Sequence, residues 1–281
     1  MPLDPITLEV LLSRLQEIVA TMEHLLFHSG YSTILRESYD GSAGITDRRG
    51  HPVIGSGMPG HLPPYHITVQ GVLNQYALEE MRDGDSFVMN DPYWGGTAHS
   101  PDLAIVTPVF WDRTVVAFCV SIAHKPDIGG MVPGSAAAAA REVYHEGLLL
   151  PGVRYWTSDG IVPEIDAIIR RNSRQPEVIS GDLRAQVGCT KTGGVKLTEL
   201  CQEYGGATMV EVLQTLQDLS ERRVRRGLAE WPDGEAEGEI QLAPDGVVTD
   251  TVVRFNVRVI KAGKYIYVEV RQFRIRFCLM E

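Results

Sequence analysis

Apolar residues recur at spacings of three and four near the start of the chain: Ile6, Val10, Leu11, Leu15, Ile18, Val19, Met22, Leu25 and Leu26. That is the period of a helix with one buried face, and it predicts a helix over 6–28. Asp4-Pro5 supplies an N-cap acceptor and a proline for the first turn. Between 40 and 53 the pattern reads as a hairpin, with Asp47-Arg48-Arg49-Gly50 as its turn. A loop rich in Pro and Gly, from Met58 to His66, leads into a helix expected over Ile67 to Met81. Phe87-Val88-Met89 is a brief strand. Two near-continuous apolar runs follow, 103–110 and 114–122, parted by Trp111-Asp112-Arg113. They read as a hairpin buried on both faces. The alanines at 136–140 are read as loop or short helix. Helical periodicity returns over 161–173, in a run through 176–204 stopped by Gly205-Gly206, and over 207–230. Asp233 to Glu239 reads as an acidic linker. Beyond it Val252, Phe255, Val257, Val259, Tyr265 and Tyr267 alternate with period two, as an antiparallel meander does. The fold class expected is α+β: amphipathic helices layered with antiparallel hairpins, and a C-terminal β meander. The domains expected are 1–235 and a partial β domain over 236–281.

Composition narrows the function. The chain has 281 residues, 44% of them hydrophobic, enough for one large core or two smaller ones. Its net charge of −10 argues against nucleic acid as a partner, because phosphate-backbone binding needs clustered Lys and Arg. The one basic cluster, Arg222-Arg223-Val224-Arg225-Arg226, falls on a helical pattern and reads as a solvated face. Four cysteines, Cys119, Cys189, Cys201 and Cys278, show no C-x-x-C spacing, which fits a reducing cytosol. The start carries no leader pattern and no run reaches membrane-span length, so a cytoplasmic chain is expected. Gly193-Gly194-Val195-Lys196 falls short of a P-loop.

The chemistry concentrates in two glycine-rich loops, Asn90 to Asp102 and Ala123 to Gly130, at the two ends of the buried hairpin. An antiparallel hairpin returns the chain to its starting point. His99 and Asp102, before the first strand, therefore meet His124, after the second, at the open end. Two imidazoles and a carboxylate are a common ligand set for a divalent ion of zinc, manganese or iron. Such an ion polarises carbonyls and lowers the pKa of bound water. Asp91, Asp127 and Glu146 are candidates to hold the outer N–H groups of the histidines. The bland alternative is that His99 and His124 bond loop backbone. Asp40, before small residues, reads as a turn residue or a ligand; His61 and His66 read as loop residues or ligands. His24 and His28 stand four apart but lack a third ligand, so their reading is structural.

Several blocks resemble the hydantoinase B family: "NDPYWGGTAHSPDLAIVTPVFWD", "AHKPDIGGMVPGS", "HEGLLLP", "NSRQPEVISGDLRAQ", and upstream "ILRESYDGSAGITDRRG" and "MPGHL". The resemblance covers roughly 5–235 with the blocks in order. That family includes the B half of 5-oxoprolinase and subunits of acetone and acetophenone carboxylases. The resemblance implies metal ligands at His99, Asp102 and His124, with Asp40 an additional ligand or metal-water partner. It implies a hydantoinase A-type partner that uses ATP to phosphorylate a cyclic amide of the hydantoin or 5-oxoproline type. A metal-bound hydroxide on this chain would then attack the activated carbon, with Asp40, Asp127 or Glu146 as proton acceptor. Two other expectations follow from the same resemblance: a subunit of an ATP-dependent ketone carboxylase, or an inactive remnant. The family's second His of the "AHH" block is Lys125 here. Family chains also run further, and the ending from Glu269 to Glu281 reads as a truncated product.

Overall fold

A computed structural model describes residues 4–242 and 253–275. Val252 and the ending from 276 on, with Cys278, lie outside the described residues. In chain order the elements are α1 (Pro5–Ser29), α2 (Thr33–Arg36), β1 (Gly41–Asp47), β2 (Pro52–Gly57), α3 (Pro64–Leu73), β3 (Ser86–Met89), β4 (Asp102–Trp111) and β5 (Thr114–His124). They continue with β6 (Val153–Thr157), β7 (Gly160–Ile161), α4 (Pro163–Asn172), α5 (Pro176–Tyr204), α6 (Gly206–Glu230), β8 (Gly234–Leu242), β9 (Val253–Ala262) and β10 (Tyr265–Ile275). The chain divides into two units, Met1–Ala136 with Glu142–Leu216, and Ala137–Arg141 with Gln217–Glu281.

The first unit is built on a seven-stranded antiparallel sheet of order β2-β1-β5-β4-β3-β6-β7. The hairpin β4–β5 lies at its centre because its apolar runs must be covered on both faces. Alternation along β5 shows how. Ala117, Cys119 and Ala123 pack with Leu11, Leu15, Met22 and Leu197 of α1 and α5. Phe118, Val120 and Ile122 pack with Tyr65, Val69 and Val72 of α3. Asp112 and Arg113, both with positive φ (46° and 63°), make the tight turn whose twist matches the strands. At β1–β2, Asp47 Oδ1 accepts from Arg49 N and His51 N, and Gly50 takes φ 81°. Asp4 caps α1 by accepting from Thr7 N at 3.0 Å.

The second unit, described by itself, holds the three-stranded sheet β10-β9-β8, all antiparallel. Two expectations change here and in α3. The segment read as an acidic linker is most of β8. Glu235, Glu237 and Glu239 alternate along one face, where Arg258 of β9 pairs with Glu235 and Glu237, so the acidic repeat is a strand's charged side. The helix expected to Met81 ends at Leu73, and a separate 3-10 turn at Leu78–Glu80 follows. There Glu80 accepts from Ala77 N at 2.8 Å and starts a new turn rather than extending the old helix. Residues 136–140 form turns and irregular chain rather than a helix. Among the described residues, no helix is long and apolar enough to cross a membrane.

Candidate metal centre

Sheet order builds the site. β1, β5 and β4 are neighbours, and the site residues sit where the start of β1, the end of β5 and the start of β4 come together. Asp102 opens β4 directly opposite His124, which closes β5. Asp40 immediately precedes β1, and its carbonyl accepts from His124 N at 3.2 Å. His99 lies on the turn into β4, where its carbonyl accepts from Asp102 N at 3.1 Å. Buried Asn90 fixes that loop: its amide nitrogen donates to Ser100 O (2.6 Å) and Leu148 O (2.8 Å), and its oxygen accepts from Leu150 N (2.7 Å).

His99 Nε2 stands 2.9 Å from Asp102 Oδ1, His124 Nδ1 stands 3.2 Å from the same oxygen, and the two nitrogens are 3.1 Å apart. This triangle of donors suits a divalent ion. Two ligands at right angles around an ion with bonds of about 2.1 Å stand about 3 Å apart. Asp102 is buried at 2% exposure, while the His99 side chain is half exposed and leaves one side open. Burial alone would raise the Asp102 pKa, but the hydrogen bonds from His124 and His99, with the nearby His61 imidazole, outweigh it and hold the carboxyl well below its usual range. The His99 pKa is raised, first by its bond to Asp102, with the charges of Asp102, Asp40 and Glu146 adding to the effect.

One member of this group carries no strong sequence signal. His61, on the 3-10 turn Pro59–His61, places Nε2 3.6 Å from Asp102 Oδ2 and 3.8 Å from Asp40 Oδ1. A histidine in a Pro-Gly loop is ordinary; only the turn's position against β1 makes it notable. The other candidates divide. Glu146 lies close, accepting at 3.0 Å from the hydroxyl of Ser100, the residue after His99. Asp127 is not gathered into the group: its carboxylate accepts from Gly129 N, Gly134 N, Arg174 N and the Arg174 guanidinium, and is spent on closing its own loop. Asp91 Oδ1 caps its own turn through Tyr93 N (2.9 Å) and Trp94 N (3.2 Å). His66 stacks on His51 with centroids 4.7 Å apart, and His28 bonds the carbonyl of His24. Lys125 is fully buried, its ammonium donating to Gln186 Oε1 of α5 at 2.6 Å. Burial pushes its pKa down to about 8.

Among the described residues, His99, Asp102 and His124 offer ligand atoms all within 4.8 Å of one another. Comparison with known proteins agrees with the blocks of the sequence. The profile of the family described as Hydantoinase B/oxoprolinase matches residues 4–271. The caprolactamase subunit beta of Pseudomonas jessenii is 30% identical over 244 residues, which cover 86% of this chain and 42% of that protein. A 5-oxoprolinase of Arabidopsis thaliana is 28% identical over 238 residues, covering 80% of this chain and 19% of that protein. The crystal structure of the ATP-dependent caprolactamase from Pseudomonas jessenii superposes with a TM-score of 0.88 at 28% identity, over 95% of this chain and 46% of that one. The chain thus spans less than half the length of these relatives.

Proposed function

Because the chain belongs to the hydantoinase B/oxoprolinase family, we propose that it is the metal-holding part of an ATP-dependent enzyme that opens cyclic amides. The observation that carries this reading is the triangle of His99, Asp102 and His124 at the edge shared by β5 and β4, with the Asp40 carboxylate arriving from β1. His99, Asp102 and His124 would hold a divalent ion, zinc, manganese or iron, with Asp40 an additional ligand or a partner of metal-bound water. When bound, such an ion polarises a carbonyl and makes water a competent nucleophile near neutral pH.

The chain's own residues do the rest. Asp102 offers one oxygen to two histidines and so fixes where they meet. The half-exposed His99 leaves the cluster open on the side from which a small ring can enter. The proton is assigned to Asp40, whose Oδ1 lies 3.8 Å from His61 Nε2, or to Glu146, which accepts from the Ser100 hydroxyl. An amide is a poor electrophile, and phosphorylation of its oxygen creates a good leaving group. The family resemblance assigns the ATP step to a hydantoinase A-type partner. The relatives' names, an ATP-dependent caprolactamase, its subunit beta, and 5-oxoprolinase, support an ATP-dependent reaction shared with another subunit.

Metal analysis tests the site directly. Wild-type protein is expected to retain about one equivalent of divalent ion, and His99→Ala and His124→Ala to bind it at least tenfold more weakly. Wild-type stoichiometry in both variants refutes the site. Co-expression with the partner and ATP, screened against hydantoin, 5-oxoproline, lactams and ketones with bicarbonate, then identifies the substrate.

A further inference from the structure

We propose that His61 is a positioning residue of this cluster, whose Nε2–H lies between the carboxylates of Asp40 and Asp102 and holds them convergent. The inference rests on the metal reading above. His61 is held firmly. Its N donates to Met58 O at 3.0 Å, and Met58 N donates to Gly41 O at 2.9 Å, which clamps the turn against the start of β1 beside Asp40. Pro59 begins the turn, and Pro63 and Pro64 follow it.

The side chain is 6% exposed. Nδ1 is buried and has no hydrogen-bond partner among the described residues. Nε2 faces Asp102 Oδ2 at 3.6 Å and Asp40 Oδ1 at 3.8 Å, just beyond hydrogen-bond range. An imidazole so poorly satisfied is less favourable here than an apolar side chain of similar size. Packing therefore does not account for a histidine here, and the two carboxylates do.

The buried Nδ1 also decides which nitrogen carries the proton. A proton on Nδ1 would bury an unpaired donor. A proton on Nε2 leaves only a vacant lone pair at Nδ1 and aims the donor at two negative oxygens. The same fact argues against His61 as a metal ligand through Nε2, because a ligating histidine almost always donates its other N–H to a partner. Asp102 is then held from both sides: Oδ1 by His99 and His124, Oδ2 by His61. Two carboxylates brought together repel each other, and a dipole between them offsets that repulsion.

The test uses the full chain, freed of metal and titrated with zinc and with manganese ions in competition with a chelating dye. His61→Leu is expected to unfold at or above the wild-type temperature when metal-free, yet to bind metal about 10–100-fold more weakly. His61→Gln, whose amide N–H reaches the Nε2 position, is expected to recover part of that loss. A His61→Leu protein with wild-type affinity overturns the proposal and leaves the metal reading standing. A parallel fall in thermal stability and affinity, with no recovery in His61→Gln, shows a merely structural role and also overturns it. A wild-type protein that binds neither ion overturns the metal reading, and this inference with it.

Discussion

At Asp127 four donor groups converge on one buried carboxylate: Gly129 N at 2.9 Å, Gly134 N at 3.0 Å, Arg174 N at 2.9 Å and Arg174 Nη1 at 3.2 Å. Burial pushes its pKa up, and these bonds together more than reverse that, so the pKa is lowered. A lowered folded pKa means stabilisation that is present above the unfolded value, about 3.9, and is lost as pH falls through the folded one. Asp127→Asn is therefore expected to cost about 1.5–3 kcal/mol at pH 7. The gap from wild type should hold down to about pH 5 and narrow as pH falls below about 4. Urea unfolding from pH 3 to 7 measures it, and a gap that widens toward acid contradicts the assignment. The same residue shows how far spacing can be read. His99-x-x-Asp102 and His124-x-x-Asp127 look alike in sequence. Asp102 begins a strand and stays at the sheet edge; Asp127 comes three residues after β5 has ended, and the chain has turned away to close its own loop. His61 stayed open between loop residue and ligand for the opposite reason. It reaches the cluster only through the packing of a loop against β1, which no local pattern encodes.

Two of the glycines of helix α5, Gly188 and Gly193, differ only in what surrounds them. A Cβ on Gly193 would stand 2.3 Å from Met22 Sδ and 3.0 Å from Cys119 Sγ, so this glycine is where α5 meets α1 and the sheet. A Cβ on exposed Gly188 would meet nothing within 4 Å. Gly188→Ala should stabilise by about 0.5–1 kcal/mol, the ordinary gain in a helix interior. Gly193→Ala should cost about 1–3 kcal/mol through overpacking, despite the same intrinsic gain. Thermal melts of the two variants give shifts of opposite sign if the packing is as described, and equal shifts contradict it. The elements were legible where one pattern ran uninterrupted. Apolar spacing marked α1, and the two apolar runs around Trp111-Asp112-Arg113 marked the central hairpin. Legibility failed where two patterns share residues. In β8, alternating glutamates look like a solvated linker until Arg258 on the neighbouring strand is placed beside them. After Leu73, helical spacing continues through Met81, but Glu80 bonds back to Ala77 N and breaks the run.

For the molecule as a whole, the two units differ in how they are held. The first has three clusters of buried apolar side chains. In the second, no described residue from 217 to 241 or from 254 to 270 is buried. Its sheet is two-faced. Glu235, Glu237, Arg258 and Glu269 pair on one side, while Ile240, Ile266, Val268 and Val270 alternate with them on the other and are 42–62% exposed. Among the described residues, backbone bonds and surface ion pairs are then its main support, and surface pairs contribute about 0–1 kcal/mol each. Local opening draws on the least buried parts of a fold first. Amides of β8, β9 and β10 are therefore expected to exchange with solvent at least about 100-fold faster than those of β4 and β5. Every residue of the candidate centre, His61 and Glu146 included, belongs to the first unit. Metal should accordingly slow exchange at the ends of β1, β4 and β5 and leave β8 to β10 as they were. Hydrogen exchange with and without added zinc reads both effects in one experiment. Protection of β9 equal to that of β5 would show that the second unit has a core these contacts do not reveal. Metal-dependent slowing confined to β8–β10 would place the ion elsewhere.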